Sequence, residues 1–291
     1  MYKDLICKNM PELPELEAIR EYLNESLSKS TIINVETYYH TVIRNHSVSD
    51  FKKLLQDAKL SQIDRIGRML RFSFKKSLFL HLYIDHGLTG RLTFKHELKK
   101  IPSKTVLSIK FDNNKTLIYY DSRLHGAIWL YSAQNEDQID RPLVIDNYGP
   151  DILQITKLEF IERLQKYRGE IKGILTNQKF VTGIGNAYSD DILHLAKIHP
   201  FSKRTDLNKE EIEKLFHACQ NVLSGAKANI YEILSTNGEF NEKKWRRKTL
   251  KIHLRGGEAC FVCGHSISTI KSKKMTSFCR RCQPSKNKNF I

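Results

Sequence analysis

Four cysteines towards the end of the chain are spaced Cys260-x2-Cys263-x15-Cys279-x2-Cys282. Two close thiol pairs of this kind can close a tetrahedron around one ion, so the spacing points to a single structural Zn2+ held by Cys260, Cys263, Cys279 and Cys282. Four protein ligands leave no open coordination position, which argues against catalysis by that ion. Disulfides are the less favoured use of the same pairs in a reducing compartment. Chemistry can also be read at Gly183-Ile184-Gly185-Asn186-Ala187-Tyr188, a glycine turn that opens a helical pattern. Exposed N–H groups at such a start can hold a phosphate and the Asn186 side chain adds a donor, although asparagine is equally an ordinary helix cap. The third place is Met10-Pro11-Glu12-Leu13-Pro14-Glu15-Leu16-Glu17. Its acids suit the positive end of a helix dipole and Pro14 suits a first turn, so taken alone it is a well-made helix start.

These residues need elements to hold them. Leu16, Ile19, Leu23 and Leu27 fall on one face of the helix that the third segment opens. Residues 31–39 are rich in β-branched and aromatic types. Similar runs near 60–66, 69–74, 78–84, 105–111, 116–120 and 127–131 are divided by turn signals such as Asp112-Asn113-Asn114. Many short strands behind one leading helix, with a short helix near 49–56, predict a two-layer β-sandwich. The polar stretch 132–140 marks the start of a boundary. Beyond it the period is helical over 158–167, 171–177, 186–196 and 209–225, with Cys219 on the apolar face of the last as a small core residue. Residues 241–255 are basic around Trp245 and lead into the cysteine module.

Three segments together carry a resemblance. Pro11-Glu12-Leu13-Pro14-Glu15 resembles the opening of the Fpg/Nei family of DNA glycosylases/AP lyases. Residues 179–200, with Gly183-Ile184-Gly185-Asn186 and Ile198-His199-Pro200, resemble that family's helix–two-turn–helix. The cysteine module, with Arg255-Gly256-Gly257-Glu258 before the first pair and Thr276-Ser277-Phe278 before Cys279, resembles its C-terminal zinc finger. The likeness runs from residue 10 to 283. It implies an α+β multidomain fold: an N-terminal helix and two-layer β-sandwich, a helical domain with the helix–two-turn–helix, and a zinc-finger β-hairpin. The corresponding divisions are an extension at 1–10, a catalytic domain at 11–135, a linker at 136–155, a DNA-binding domain at 156–240, and a zinc finger with basic tail at 241–291.

By the same resemblance Pro11 is the nucleophile and Glu12 the acid. A chain-terminal amine titrates at about 8 against about 10.4 for a lysine, so part of it is an unprotonated nucleophile at neutral pH. Attack of such an amine on C1′ of a sugar expels the base and leaves an iminium, while a neighbouring carboxyl can protonate the opening ring oxygen. An amide nitrogen cannot do this, its lone pair being delocalised into the carbonyl. The working chain is therefore expected to begin at Pro11, through initiation at Met10 and removal of that methionine. The resemblance also makes Asn186 and Lys172 phosphate contacts and puts Lys274 at the hairpin tip, where the family usually has an arginine. Arg65-Ile66-Gly67-Arg68-Met69-Leu70 stands where the family has Arg-Gly-Lys-Tyr-Leu. Arg68 thus keeps a cation for a phosphate but cannot act as a proton acceptor or amine nucleophile. In Gly87-Leu88-Thr89-Gly90, Leu88 takes the place of a methionine that fills the gap left by an everted base. In Asp121-Ser122-Arg123-Leu124-His125-Gly126, Arg123 faces the widowed base and His125 replaces a phenylalanine wedge. These departures leave both oxidised purines and oxidised pyrimidines open as the lesion.

Lys and Arg number 48 against 32 Asp and Glu, a formal charge of +16 over 291 residues. That excess suits a polyanion, and the resemblance implies that the partner is double-stranded DNA containing damaged bases or abasic sites. No stretch has the length of a membrane span and no signal peptide opens the chain, so the expectation is a cytoplasmic monomer associated with the nucleoid through DNA. Two other readings fit part of the pattern. One is a catalytically inactive module for damaged or bent DNA, with residues 1–9 retained and blocking Pro11. The other is a zinc-ribbon RNA or regulatory protein, which leaves the Pro11 segment unexplained.

Overall fold

The apolar stripe Leu16, Ile19, Leu23 and Leu27 forms the inner face of helix α1 (Leu13–Leu27), and all four side chains are buried. The computed structural model describes residues 10–95, 101–271 and 275–286; residues 1–9 and Lys274 lie outside the described residues. One compact unit comprises Glu15–Ile145 and Tyr231–Glu242 with the chain up to Pro11. The other comprises Glu12–Pro14, Asp146–Ile230 and the chain from Lys243.

The first unit contains two four-stranded antiparallel sheets, the two layers of the expected sandwich. Strands β1 (Ile32–Thr37), β5 (Gly90–Lys95), β6 (Thr105–Phe111) and β7 (Thr116–Asp121) pair in the order β1-β6-β7-β5. Strands β2 (Lys59–Ile66), β3 (Met69–Lys75), β4 (Phe79–Asp85) and β8 (Ala127–Ala133) pair in the order β2-β3-β4-β8. Helix α2 (Val48–Leu55) starts at Ser47, whose hydroxyl accepts the Asp50 N–H. Strand β5 is absent from the sequence reading because it begins on the last glycine of the 87–90 motif, a turn signal that hides the alternation of Leu92 and Phe94 with Arg91 and Thr93. Strand β2 is an edge, and Asn24 of α1 covers it: its amide donates to the Ile63 carbonyl at 2.7 Å and accepts the Ile63 N–H at 2.8 Å.

In the second unit, helices α3 (Lys157–Gln165), α4 (Ile171–Leu175) and α5 (Asn186–Leu195) surround a core in which Phe160 packs against Phe180 and Phe216 at ring separations of 5.3 and 5.4 Å. Helix α6 (Lys209–Asn237) runs twelve residues beyond the expected 225. Gly225 costs about 1 kcal/mol in a helix interior, but Ala226, Ile230 and Leu234 continue the buried face past it. Helix α7 (Glu242–Thr249) occupies the basic segment, with Trp245 fully buried among its charges. Hairpin β9 (Ser268–Lys271) and β10 (Met275–Phe278) ends the described fold.

The cover over the edge strand gives a first prediction. Asn24→Ala leaves the Ile63 N–H and carbonyl unpaired and should cost roughly 1–3 kcal/mol, read as a lowered urea midpoint. An unchanged midpoint would mean that solvent replaces both bonds.

Candidate active site

In the first unit, β4 is buried along most of its length and ends on a carboxylate, Asp85. One Asp85 oxygen accepts the Gly87 N–H at 2.9 Å and the other accepts Nη2 of Arg68 at 3.0 Å. Nη1 of Arg68 lies 3.7 Å from the Met10 sulfur, which places the guanidinium beside the residue bonded to Pro11. Pro11 itself is buried. Gly87 has φ +52°, and a Cβ there would meet the His125 carbonyl oxygen at 2.5 Å; one on Gly126 would meet the Asp85 carbonyl oxygen at 2.7 Å. The loops 87–90 and 122–126 therefore touch backbone to backbone, which only glycine allows.

Asp121 ties these two loops together. Its carboxylate accepts the Thr89 hydroxyl, the Gly126 N–H at 2.7 Å and the Arg123 N–H at 3.2 Å. Burial opposes its ionisation, but these donors prevail and hold the carboxyl below the usual range. Leu88, Arg123 and His125 stand exposed on this clamp, Leu88 at 52%. Beneath it His86 is fully buried, edge-on to Tyr119, and neither ring nitrogen has a partner among the described residues. Burial, helped by the Arg91 charge, pushes its pKa down to about 3, so the ring is neutral at any working pH.

In the second unit the site is built on the start of α5. Gly185, the residue before the helix, has no side chain to cap it. The cap comes instead from Glu12, whose carboxylate accepts the N–H groups of Gly185 at 2.9 Å, Ala187 at 2.9 Å and Tyr188 at 3.3 Å. Arg246 adds an ion pair at 3.8 Å. Gly183 has φ +104°, and a Cβ on it would meet Leu13 at 2.4 Å; a Cβ on Gly185 would meet the Glu12 carboxyl carbon at 2.2 Å. Both glycines are thus required for residues 12 and 13 to lie against the helix start.

Lys172 is 5% exposed and donates to Asp190 at 2.5 Å, the Thr276 hydroxyl at 2.9 Å and the Met275 carbonyl at 3.1 Å. The Asn186 amide donates to the same carbonyl at 3.0 Å. Asp190 also accepts the Ser277 N–H and pairs with His253, while Asp191 accepts the N–H groups of Lys251, Ile252 and His253. The sulfurs of Cys260, Cys263, Cys279 and Cys282 lie within 4.8 Å of one another, with Cys260–Cys282 at 3.8 Å and Cys263–Cys279 at 3.5 Å. Tetrahedral thiolates around a first-row ion sit roughly 3.8 Å apart, so this cluster is a metal-binding site. His194 of α5 lies 3.3 Å from the Cys260 sulfur, where its ring N–H can support a metal-bound thiolate.

Residues 10–128 match the model of the formamidopyrimidine-DNA glycosylase N-terminal domain, and residues 149–235 that of the formamidopyrimidine-DNA glycosylase H2TH domain. The formamidopyrimidine-DNA glycosylase of Pelotomaculum thermopropionicum is 30% identical over 281 residues, covering 94% of this chain and 99% of its own. That of Mycoplasmopsis pulmonis is 31% identical over 293 residues, covering 97% and 100%. The chain belongs to the formamidopyrimidine-DNA glycosylase family. Among solved structures of that family, Lactococcus lactis Fpg with DNA containing an abasic site superposes with a TM-score of 0.79 at 28% identity, over 94% of this chain and 100% of its own. The same enzyme with DNA containing an oxidised pyrimidine gives 0.80 at 27% identity over the same shares. Among the described residues no helix is long and apolar enough to cross a membrane.

Within this family member, the first unit holds Pro11, Arg68, Leu88, Arg123 and His125, and the second Glu12, Lys172, Asn186 and the four cysteines. Sequence reasoning passed over Asp85, Asp190 and His86. An acid and a histidine closing an apolar strand were the available signal for Asp85 and His86, and an adjacent acid pair on a helix was the signal for Asp190.

The Asp121 clamp gives a pH prediction. Because its folded pKa is depressed, its ionised form stabilises the protein above the unfolded value of about 4, and that contribution is lost as pH falls through the folded value. Asp121→Asn should lower the melting temperature at pH 7, and the gap to the parent should close on acidification below pH ~4. A gap constant with pH would mean that shape rather than charge holds the clamp.

Proposed function

We propose that this protein is a base-excision repair DNA glycosylase with AP lyase activity, acting on double-stranded DNA that contains damaged bases or abasic sites. The observation that carries the proposal is the position of Glu12: the residue directly after Pro11 is a buried carboxylate fixed on a helix N-terminus by three N–H donors. An acid so placed sits one peptide unit from the nitrogen that must react.

The steps follow from that pairing. The Pro11 nitrogen, freed by removal of Met10, bonds to C1′ of the damaged nucleoside, and the base leaves with the glycosidic electron pair. The N–H proton released in this step passes to the Glu12 carboxylate, which then delivers it to the ring oxygen as the C1′–O bond opens. The product is an iminium on Pro11. It acidifies the C2′–H bond: water takes that proton as the 3′ phosphate departs with the C3′–O electron pair, and hydrolysis of the resulting conjugated iminium releases the proline. Arg68, beside residue 10, is suited to the backbone phosphate next to the reacting sugar, Asn186 and Lys172 to phosphates along the strand, and by the resemblance Lys274 is a further phosphate contact. Leu88 and His125 fill the space of the everted nucleotide while Arg123 takes the base opposite. The four thiolates hold Zn2+, which fixes the hairpin fold and takes no part in bond breaking. DNA in the nucleoid is the place of action this chemistry requires, and the protein acts as a monomer.

Borohydride reduces an iminium to a stable amine, so a chain beginning at Pro11 should be trapped covalently on abasic-site duplex, and the same chain retaining Met10 should not. Trapping of the Met10-bearing form would identify a different nucleophile. Gly185→Ala drives a methyl group into the Glu12 carboxylate and should lower turnover by about 10²–10⁴, the usual worth of a general acid–base group, and to the same extent as Glu12→Gln. Normal turnover in Gly185→Ala would remove Glu12 from the proton path.

A further inference from the structure

Arginine stays charged at any working pH, so an exposed arginine beside a DNA-binding site attracts phosphate wherever the protein rests on a duplex. Arg68 is such a residue, its side chain 38% exposed, but a carboxylate lies against it: Asp85, only 7% exposed, holds Nη2 at 3.0 Å. A phosphate approaching from solvent meets a nearly neutral pair in place of a cation. The other Asp85 oxygen binds the Gly87 N–H at the root of the Leu88 loop, so one carboxylate anchors both the guanidinium plane and the loop. In that orientation Nη1 lies 3.7 Å from the side-chain sulfur of Met10, the residue bonded to the reacting proline.

We propose that Asp85 is a specificity-determining positioning residue: it masks Arg68 towards undamaged DNA and directs the guanidinium to the reacting sugar's phosphate at a damaged site. This rests on the glycosylase reading above. Where Leu88 has entered the duplex, the wedge and the other backbone contacts hold a phosphate against Arg68. The guanidinium fork then serves Asp85 on one edge and the phosphate on the edge that faces residue 10. On intact duplex no such contact presses the phosphate in, and the carboxylate keeps the charge screened. Asp85 touches neither sugar nor base.

The test is equilibrium binding, by fluorescence anisotropy across a salt series, of an undamaged duplex and of the same duplex with a tetrahydrofuran abasic analogue. The proteins are full chains beginning at Pro11: the parent, Asp85→Asn, Asp85→Glu, Arg68→Gln and the Arg68→Gln/Asp85→Asn double variant. Asp85→Asn keeps an acceptor for Gly87 but loses the charge. It should bind undamaged duplex about fivefold more tightly at low salt with a salt slope steeper by about one, and bind the abasic duplex with little change. The gain should vanish in the double variant, and Asp85→Glu should restore the parent's discrimination. In the parent background, Arg68→Gln should weaken abasic binding while leaving undamaged binding within about twofold, a readout that survives even if the Asp85 variants fold poorly. A gain that persists without Arg68 would show a general charge effect and overturn the proposal. So would equal weakening of both duplexes by Asp85→Asn, the mark of a merely structural ion pair. If the parent shows no preference for abasic DNA and no borohydride adduct, the glycosylase reading itself fails, an outcome separate from the variants' effect on undamaged duplex.

Discussion

The structure depends on buried carboxylates that accept backbone N–H groups. In a chain carrying +16 formal charges, Glu12 caps α5, Asp85 holds Gly87, Asp121 holds residues 123 and 126, Asp190 holds Ser277, and Asp191 holds residues 251–253. Glu12, Asp85 and Asp121 lie where a strand or helix begins or ends and the loop's N–H groups have no ladder to join, whereas Asp190 and Asp191 lie within α5 and reach N–H groups of residues 277 and 251–253. Burying an ionised acid is costly: at Asp121 the charge-assisted bonds prevail over the lost hydration, while at Asp191 burial prevails and raises the carboxyl to about 6. The consequence for function is twofold. The loops that carry Leu88, Arg123, His125 and Asn186 are fixed before any ligand arrives, and the acids that fix them are withdrawn from the surface. The positive excess is left outside, where a polyanion meets it.

This division also explains what the sequence could and could not reveal. Period and composition are local, and they located α1, the sandwich strands other than β5 and the helices α3 to α5 to within a few residues. The Cys260-x2-Cys263 and Cys279-x2-Cys282 pairs carried their own geometry. An acid's partner, in contrast, is invisible when it lies 173 residues away, as Gly185 does from Glu12. The Pro11 segment read as a helix start on its own residues, yet the carboxylate that looked like a cap for α1 caps α5. Misread boundaries had the same cause. Gly225 and Gly90 carry strong local signals for a break, and tertiary burial of Ile230 and Leu92 outweighs them.

Lys172 lies in a polar pocket closed by Asp190, Thr276 and the Met275 carbonyl, and Asn186 shares that carbonyl. Two donors on one carbonyl oxygen use both of its lone pairs, so β10 is joined within one unit to α4 by two bonds from Lys172 and to the start of α5 by one from Asn186. Under the proposed function, a phosphate there would offer both donors a full negative charge in place of a carbonyl dipole. The buried ion pair with Asp190 keeps the ammonium in place meanwhile, since removing either partner would leave an uncompensated charge in the interior.

Glu12 carries the sharpest conflict between architecture and chemistry. As the cap of α5 it is best ionised, because both oxygens accept N–H groups and Arg246 lies nearby. In the proposed reaction it takes up a proton and gives it away. The two duties are compatible only if the protonated form is short-lived, formed by the proton that the attacking amine sheds and emptied by the opening ring. The three donors then act in catalysis by what they disfavour: an acid that is uncomfortable when neutral transfers its proton readily and returns to the state in which the helix holds it. The same bonds hold the Glu12 carboxylate in place one residue from the Pro11 nitrogen. For a proton that must move twice between neighbouring atoms, position contributes more than resting acidity.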